Sequence, residues 1–386
     1  MARARKGRSI KQKMGFLIYG KQGSGKSSLA LEFAKMKRED GKPFRVLYLD
    51  SEAGSIDSYL DDYEDEGIDI DNIYIVYTQS LSEVNSYISK ITKGEDLYEL
   101  DDDGNETDDI VLDSDGEPFK PDAIVIDSAS VLYIATQQGL TEFSKKRAKV
   151  RANKNELTGL EKQVAIEGAK IEIQDYNTLK FDGQDLILSL LGSGKHFAVI
   201  ARETDEKVRK ETNEKGNFTS VSTGNKIPDG FKDLAYNVKT VIHMVEDDYG
   251  NIIAEIKDKD RTKVHKRNEI IESPTLLDWE VLIEKGKGKK DYTLTNTLDS
   301  AVKTEEERYI NSEGNNEEET QTSSSKSEST ITAEELHNQI KAIVDTFTPT
   351  KKKALKPKLD KVGLPTKFST ITNIDDLKTF LKIVQE

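Results

Sequence analysis

The chain has 386 residues, 35% of them hydrophobic and 33% charged, with a formal net charge of −14. That length allows one large domain and a smaller module, and the acidic balance excludes a protein that coats nucleic acid with its whole surface, though not one with a local basic groove. With no cysteine and four scattered histidines there is no disulfide, thiolate zinc site or cysteine nucleophile, and no apolar run nears the ~20 residues of a membrane span.

Residues 1–13, MARARKGRSIKQK, form a basic flexible arm, either a solubilising tail or a phosphate contact. The arm lacks the apolar segment of a signal peptide, so the expected compartment is the cytoplasm. The apolar run 16–19 then feeds Gly20, Lys21, Gln22, Gly23, Ser24, Gly25, Lys26, Ser27 and Ser28. This is the P-loop pattern G-x-x-x-x-G-K-[ST], a strand before it and a helix after it. Its glycines let backbone N–H groups converge on phosphates, and the helix that follows aims its positive end at them. Lys26 is expected to neutralise the β- and γ-phosphates of a bound nucleotide, and the Ser27 hydroxyl to join a Mg²⁺ shell.

Helical spacing of Leu29, Phe33 and Met36 predicts a phosphate-binding helix of about three turns over 28–39, stopped by Gly41 and Pro43. A strand over 45–49 runs into Asp50-Ser51-Glu52-Ala53-Gly54, a polar cluster at a strand's C-terminal end, where open α/β sheets place ligands. A strand over 73–77 and a helix over 80–92 continue the βαβ alternation. Between about 94 and 121 the pattern breaks into an acidic hairpin insert. Its D-x-D-G fragments suit calcium loops or solvated turns, and the terminal glutamate of a calcium loop is missing. The core resumes at 123–126, which ends in Asp127 and Ser128. An aspartate at the tip of a buried strand downstream of a P-loop either holds the water shell of Mg²⁺ or caps the next helix.

A mostly helical segment, 140–179, begins with the basic run Lys145, Lys146, Arg147, Lys149 and Arg151. A helix over 186–191 and a core strand over 197–200 follow, ending in Ala201-Arg202-Glu203-Thr204. The weakly patterned stretch 205–230, with Lys207, Arg209, Lys210, Phe218 and Lys226, reads as a long mobile loop. Strands 239–245 and 252–257 form a hairpin leading to Lys257-Asp258-Lys259-Asp260-Arg261. The expected organisation is an α/β domain over 14–298, a disordered acidic, Ser-rich linker over 299–330, and a small helical module over 331–386 with a basic patch at 351–358.

A P-loop fixes nucleotide binding, and the water-activating carboxylate decides the branch. Ser128 follows Asp127 directly and cannot be the base, which leaves Glu52, able to orient water toward the γ-phosphate. Asp50-Ser51-Glu52 and Asp127-Ser128 resemble the strand ends of RecA-like ATPases. The run from GFLIYGKQGSGKSSLA through VLYLDSEAG, IVIDSAS, FAVIARETD and EIKDKDRT is similar to phage-encoded RecA-like nucleotide-binding proteins of recombination and single-strand annealing. The resemblance covers roughly 14–279. It implies an α/β RecA-like core with a mostly parallel sheet, ATP and Mg²⁺ as cofactors, and a homo-oligomer with ATP at subunit boundaries. It also implies a γ-phosphate sensor at Arg202 or Thr204, a Lys259-x-Arg261 pair inserted into a neighbour's site, and DNA-binding loops after Asp127 and after Thr204. The basic residues there suit single-stranded DNA, or are solvated surface. The rival readings are a nucleotide-gated scaffold recruiting a partner through the C-terminal module, and a hexameric helicase or packaging motor.

Overall fold

A computed structural model describes residues 7, 10–211, 218–291, 293, 302–303, scattered positions between 340 and 373, and a final helix. The expected linker, most of the 1–13 arm, the helical pattern after Thr332 and the 351–358 patch lie outside the described residues or are described only at isolated positions. The chain divides into two compact units, Met1–Ile310 and Asn311–Glu386. In the second, the helix Ile374–Gln385 buries Leu377 and Phe380, two of the apolar positions that define its helical pattern.

In the first unit the parallel strands β1 (Gly15–Gly20), β2 (Val46–Asp50), β3 (Ile73–Tyr77), β6 (Ala123–Asp127) and β7 (His196–Glu211) are joined by β9 (Thr240–Glu246). Two antiparallel strands, β10 (Ile252–Asp260) and β11 (Ile270–Ile271), complete one side. The spatial order is β11-β10-β9-β1-β7-β6-β2-β3, so β7 separates the P-loop strand from the strand carrying Asp127. Strand alternation sends Phe16, Ile18, Tyr48 and Val125 to one buried layer, and Leu17, Leu47, Ile124 and Val199 to the other. A sheet covered on both faces needs apolar residues at consecutive positions, which is why β1, β2 and β6 are buried throughout.

The first layer is closed by α1 (Lys26–Leu31), α2 (Asp57–Asp65) and Trp279, whose ring meets Phe16 edge-on at 4.9 Å. The second layer is closed by α3 (Leu81–Lys93), α4 (Ala129–Lys154) and α6 (Ile173–Gly192); α5 (Gly159–Glu167) buries no residue. The phosphate-binding helix is shorter than its spacing suggests. After Leu31 it tightens into a 3₁₀ turn, Glu32–Lys35, which brings Phe33 and Met36, three apart, into the core together.

The acidic insert is a hairpin, β4 (Tyr98–Leu100) and β5 (Glu106–Ile110). It lies beside the outermost strand: the Tyr74 hydroxyl donates to the Tyr98 carbonyl, and Asn72 donates to Ser114. Its Asp-rich turns use their own carboxylates: Asp101 Oδ1 accepts from the amides of Asp103 and Asn105, and Asp113 Oδ1 from those of Asp115 and Glu117. Both are Asx turns; Asp101 is exposed, whereas Asp113 is buried and also meets Arg45 Nη1 at 3.4 Å.

Most of the described part of the stretch 205–230 is paired strand rather than loop. β7 continues to Glu211 and pairs antiparallel with β8 (Phe218–Pro228), making a projecting two-stranded arm. Both its faces are largely polar, so hydrophobic alternation gave no strand signal; main-chain pairing builds it, with polar cross-strand contacts such as Thr223 and Asn225 to Glu206.

Candidate nucleotide site

The site follows from strand register. Gly20 lies beside Arg202 and Met244, and Asp50 beside Asp127, so five neighbouring strands bring these residues to the same end of the sheet. Above them opens a cleft of about 870 Å³ lined by the P-loop, Glu52, Asp127, Arg202 and Glu203. The crevice beyond the carboxyl ends of parallel strands is where this sheet class binds ligands.

All nine loop residues from Gly20 to Ser28 belong to the turn and the first helical residues. Gly20 tolerates no side chain, because a Cβ would stand 2.3 Å from the Met244 carbonyl oxygen. Gly23 and Gly25 both sit at φ 75°, the left-handed region that glycine occupies without strain. The bend is held from inside: Ser24 Oγ donates to the Lys21 carbonyl at 2.8 Å, and Ser28 Oγ to the Gly25 carbonyl at 3.0 Å. Lys21 faces Glu246 at 3.9 Å on the rim, and Gln22 is exposed. Lys26 Nζ donates to the Lys21 carbonyl at 2.5 Å, so its ammonium lies over the loop. Burial pushes its pKa down, against the pull of Asp127 and Glu52.

Asp127 is 1% exposed. Its Oδ2 accepts from Ser27 Oγ at 2.6 Å and from Tyr48 Oη at 2.8 Å. Burial raises its pKa, opposed by those two hydroxyls. A hydroxyl and a carboxylate oxygen in contact beneath a phosphate-sized cradle are a hard-oxygen set suited to Mg²⁺. The residues present therefore fit Mg·ATP: backbone amides and Lys26 for the phosphates, Ser27 and Asp127 for the metal. When bound, Mg·ATP would supply the electrophilic phosphorus and part of the charge neutralisation.

Glu52 stands at the cleft with its backbone fixed from behind. Asp50 Oδ1 accepts from the Glu52 amide at 2.8 Å, and Asp50 Oδ2 from the amides of Gly54 and Ser55 at 2.7 and 3.0 Å. Glu52 Oε1 accepts from Ser128 Oγ at 2.8 Å and from Arg202 Nη2 and Nε at 3.0 and 3.3 Å. Ser128 is itself placed by Ser51, whose hydroxyl accepts from the Ser128 amide at 2.8 Å. Thr204 lies two residues past Arg202, paired with Ile227 at the root of the arm.

Lys259 and Arg261 are not in this cleft. They turn toward the main-chain oxygen of Tyr236, at the end of α7 (Leu234–Asn237), at 2.7 and 3.5 Å. Neither has a carboxylate within ion-pair distance among the described residues. Burial, with Arg261 alongside, lowers the Lys259 pKa to about 8.

The basic run after Asp127 lies on a helix, because the chain passes through Ser128 straight into α4. Lys145 pairs with Glu142, Arg147 with Asp175 and Arg151 with Glu172, at 2.8, 2.5 and 2.9 Å. Lys146 and Lys149 are exposed and make no ion pair among the described residues. On the arm, register places Lys207 opposite Ser222, Arg209 opposite Ser220 and Glu211 opposite Phe218, all on one face. Lys210 falls on the other face, and Lys226 is paired with Asp205 at 2.7 Å.

Sequence reasoning missed Tyr48, Asp50 and Ser128 as the partners that hold the two acids, and Tyr59, Tyr63 and Lys35 as part of the cleft wall. The aspartates and serines stood in the quoted motifs; their pairing depends on which strands are neighbours.

No family model and no curated protein matches the chain. Among solved structures it is similar to the RadB recombinase, with a TM-score of 0.36 and 15% identity over 67% of this chain and 86% of that one. The strand order and the mostly parallel central sheet between helices make this an α/β fold, with a glycine-rich turn between its first strand and first helix.

Proposed function

We propose that this chain is a Mg²⁺-dependent, RecA-type ATPase that works as a homo-oligomer on single-stranded DNA, in recombination or replication of the phage kind. The observation that carries the reading is the 2.6 Å contact between Ser27 Oγ and Asp127 Oδ2 beneath the P-loop, with Glu52 fixed beside it. In this account the loop amides and Lys26 hold the phosphates, Ser27 and Asp127 hold the metal, and Glu52 accepts a hydrogen bond from the attacking water and takes its proton. Lys259 and Arg261 are cations with no carboxylate within ion-pair distance among the described residues, held outside the chain's own cleft. Their role is to meet the γ-phosphate of a neighbouring copy, where added positive charge stabilises the transition state. The arm, with Lys207, Arg209 and Phe218 on one face, suits phosphate pairing and base stacking along a single strand; Lys146 and Lys149 add a second basic surface.

ATP turnover measured with and without single-stranded DNA tests the reading. The wild type is expected to hydrolyse ATP faster with DNA, and Glu52→Gln to lose about 10²-fold or more in kcat while still binding Mg·ATP. Undiminished turnover by Glu52→Gln would remove Glu52 from the chemistry.

A further inference from the structure

Glu52 and Arg202 meet in the cleft although they are 150 positions apart, and each is fixed at its backbone. The Glu52 amide is held by Asp50. The Arg202 amide donates to Ser130 Oγ at 2.9 Å, and the Arg202 carbonyl accepts from the Asp229 amide at 2.7 Å. With both main chains pinned, only the side chains can change partners. The pair is only partly buried, the Arg202 side chain 52% exposed and that of Glu52 33%, so it is weakly held and readily exchanged. A phosphate oxyanion offers a guanidinium stronger, bidentate geometry than one carboxylate oxygen already shared with Ser128. Arg202 lines the same cleft as Lys26, and a second carboxylate there, Glu203, is occupied by His243 at 2.9 Å.

We propose that Arg202 is a latch on Glu52: without nucleotide it occupies the carboxylate oxygen that would orient water, and a γ-phosphate in the cleft draws the guanidinium away and frees Glu52. Water activation is thus withheld until a triphosphate is seated. The same residue joins the nucleotide cleft to the arm, since β7 leaves the sheet immediately after it. This proposal rests on the nucleotide reading above. It adds that Glu52 and the γ-phosphate compete for one cation, so nucleotide affinity depends on what stands at position 52, and only through Arg202.

The test is a double-mutant cycle read by calorimetry in Mg²⁺, on the full chain, with ADP and with a non-hydrolysable ATP analogue. Glu52→Gln is expected to tighten the analogue by roughly threefold to fivefold and to leave ADP unchanged, the scale of one partly exposed ion pair. Arg202→Ala is expected to weaken the analogue, and in its background Glu52→Gln is expected to have no further effect. Tightening that persists in the Arg202→Ala background, or that is equal for ADP and the analogue, overturns the latch, because it reports only removal of a negative charge. An unchanged affinity in Glu52→Gln overturns it too. A wild type that binds neither nucleotide overturns the nucleotide reading itself, and the latch with it.

Discussion

The two halves of β7 are held by different forces. From His196 to Ala201 every residue is buried between two parallel neighbours, whereas the arm from Glu203 onward pairs only with β8 and is half-buried or exposed. Inside, apolar burial at roughly 25 cal/mol per Å² fixes each residue's height relative to β1 and β6. That is what sets Arg202 level with Gly20 at the cleft floor. Outside, the strand has main-chain hydrogen bonds and few packed side chains, the condition of a segment that opens locally and adapts to a ligand. A rigid inner half suits chemistry that needs fixed distances, and an adaptable outer half suits a flexible polymer.

The comparison breaks most visibly at the arm. Replacing Lys207, Arg209 and Lys210 together by Ala is expected to reduce the salt dependence of single-stranded DNA binding, lowering the slope of log affinity against log salt by about 1.4, from Lys207 and Arg209 on one face at ~0.7 per phosphate contact. Affinity for Mg·ATP without DNA should stay within about twofold. An unaltered slope, measured by fluorescence anisotropy across a salt series, would move DNA binding elsewhere, and Lys146 and Lys149 on α4 would be the next residues to test.

A smaller effect concerns the cation pair that the inner strands hold outside the cleft. Because Lys259 titrates near 8, it is charged below that pH and neutral above it, the reverse of an ordinary exposed lysine at pH 9. If it serves a neighbour's phosphate, turnover at saturating ATP is expected to fall by up to about tenfold between pH 7.5 and 9.5. Lys259→Arg, charged throughout, should flatten that profile. A wild-type profile that stays level over this range would separate Lys259 from the chemistry.

The smallest effect falls on stability, at the inner end. Burial raises the Asp127 carboxyl above its unfolded value of 3.8. The native state therefore binds the proton more tightly, and stability falls as pH rises from 3.8 through the raised folded value. At neutral pH the ionised form is buried at a cost. Asp127→Asn keeps an acceptor for Ser27 and Tyr48, so it is expected to raise the stability of the nucleotide-free protein by about 1 kcal/mol, roughly 2 °C in Tm. It should also abolish Mg²⁺-dependent nucleotide binding. A lowered Tm in calorimetry would mean that the charge is already compensated.

The same contrast explains what could be read in advance. The P-loop, Asp127 and Glu52 were legible because a strand end, a glycine spacing and a carboxylate two residues past Asp50 are local features. Tyr48 looked like any core residue of β2; only the pairing of β2 with β6 brings its hydroxyl to Asp127. Arg202 was legible as a strand end, but not as the partner of Glu52, since that contact spans the sheet. The arm was misread because its pairing is invisible to a hydrophobic pattern. The run at 145–151 was read correctly as basic, but the acids that neutralise much of it lie 21 or more residues later than their partners, on or at the start of neighbouring helices, except for Glu142.

The central claim is that the turn after β1 grips a triphosphate and its magnesium. Titrating Mg·ATP into the wild type and into Lys26→Ala by isothermal calorimetry tests it most directly. The expected result is a 1:1 isotherm for the wild type that weakens by about 100-fold or more in the variant, the scale of losing one desolvated charge-assisted contact. Equal affinity in the two proteins would contradict it.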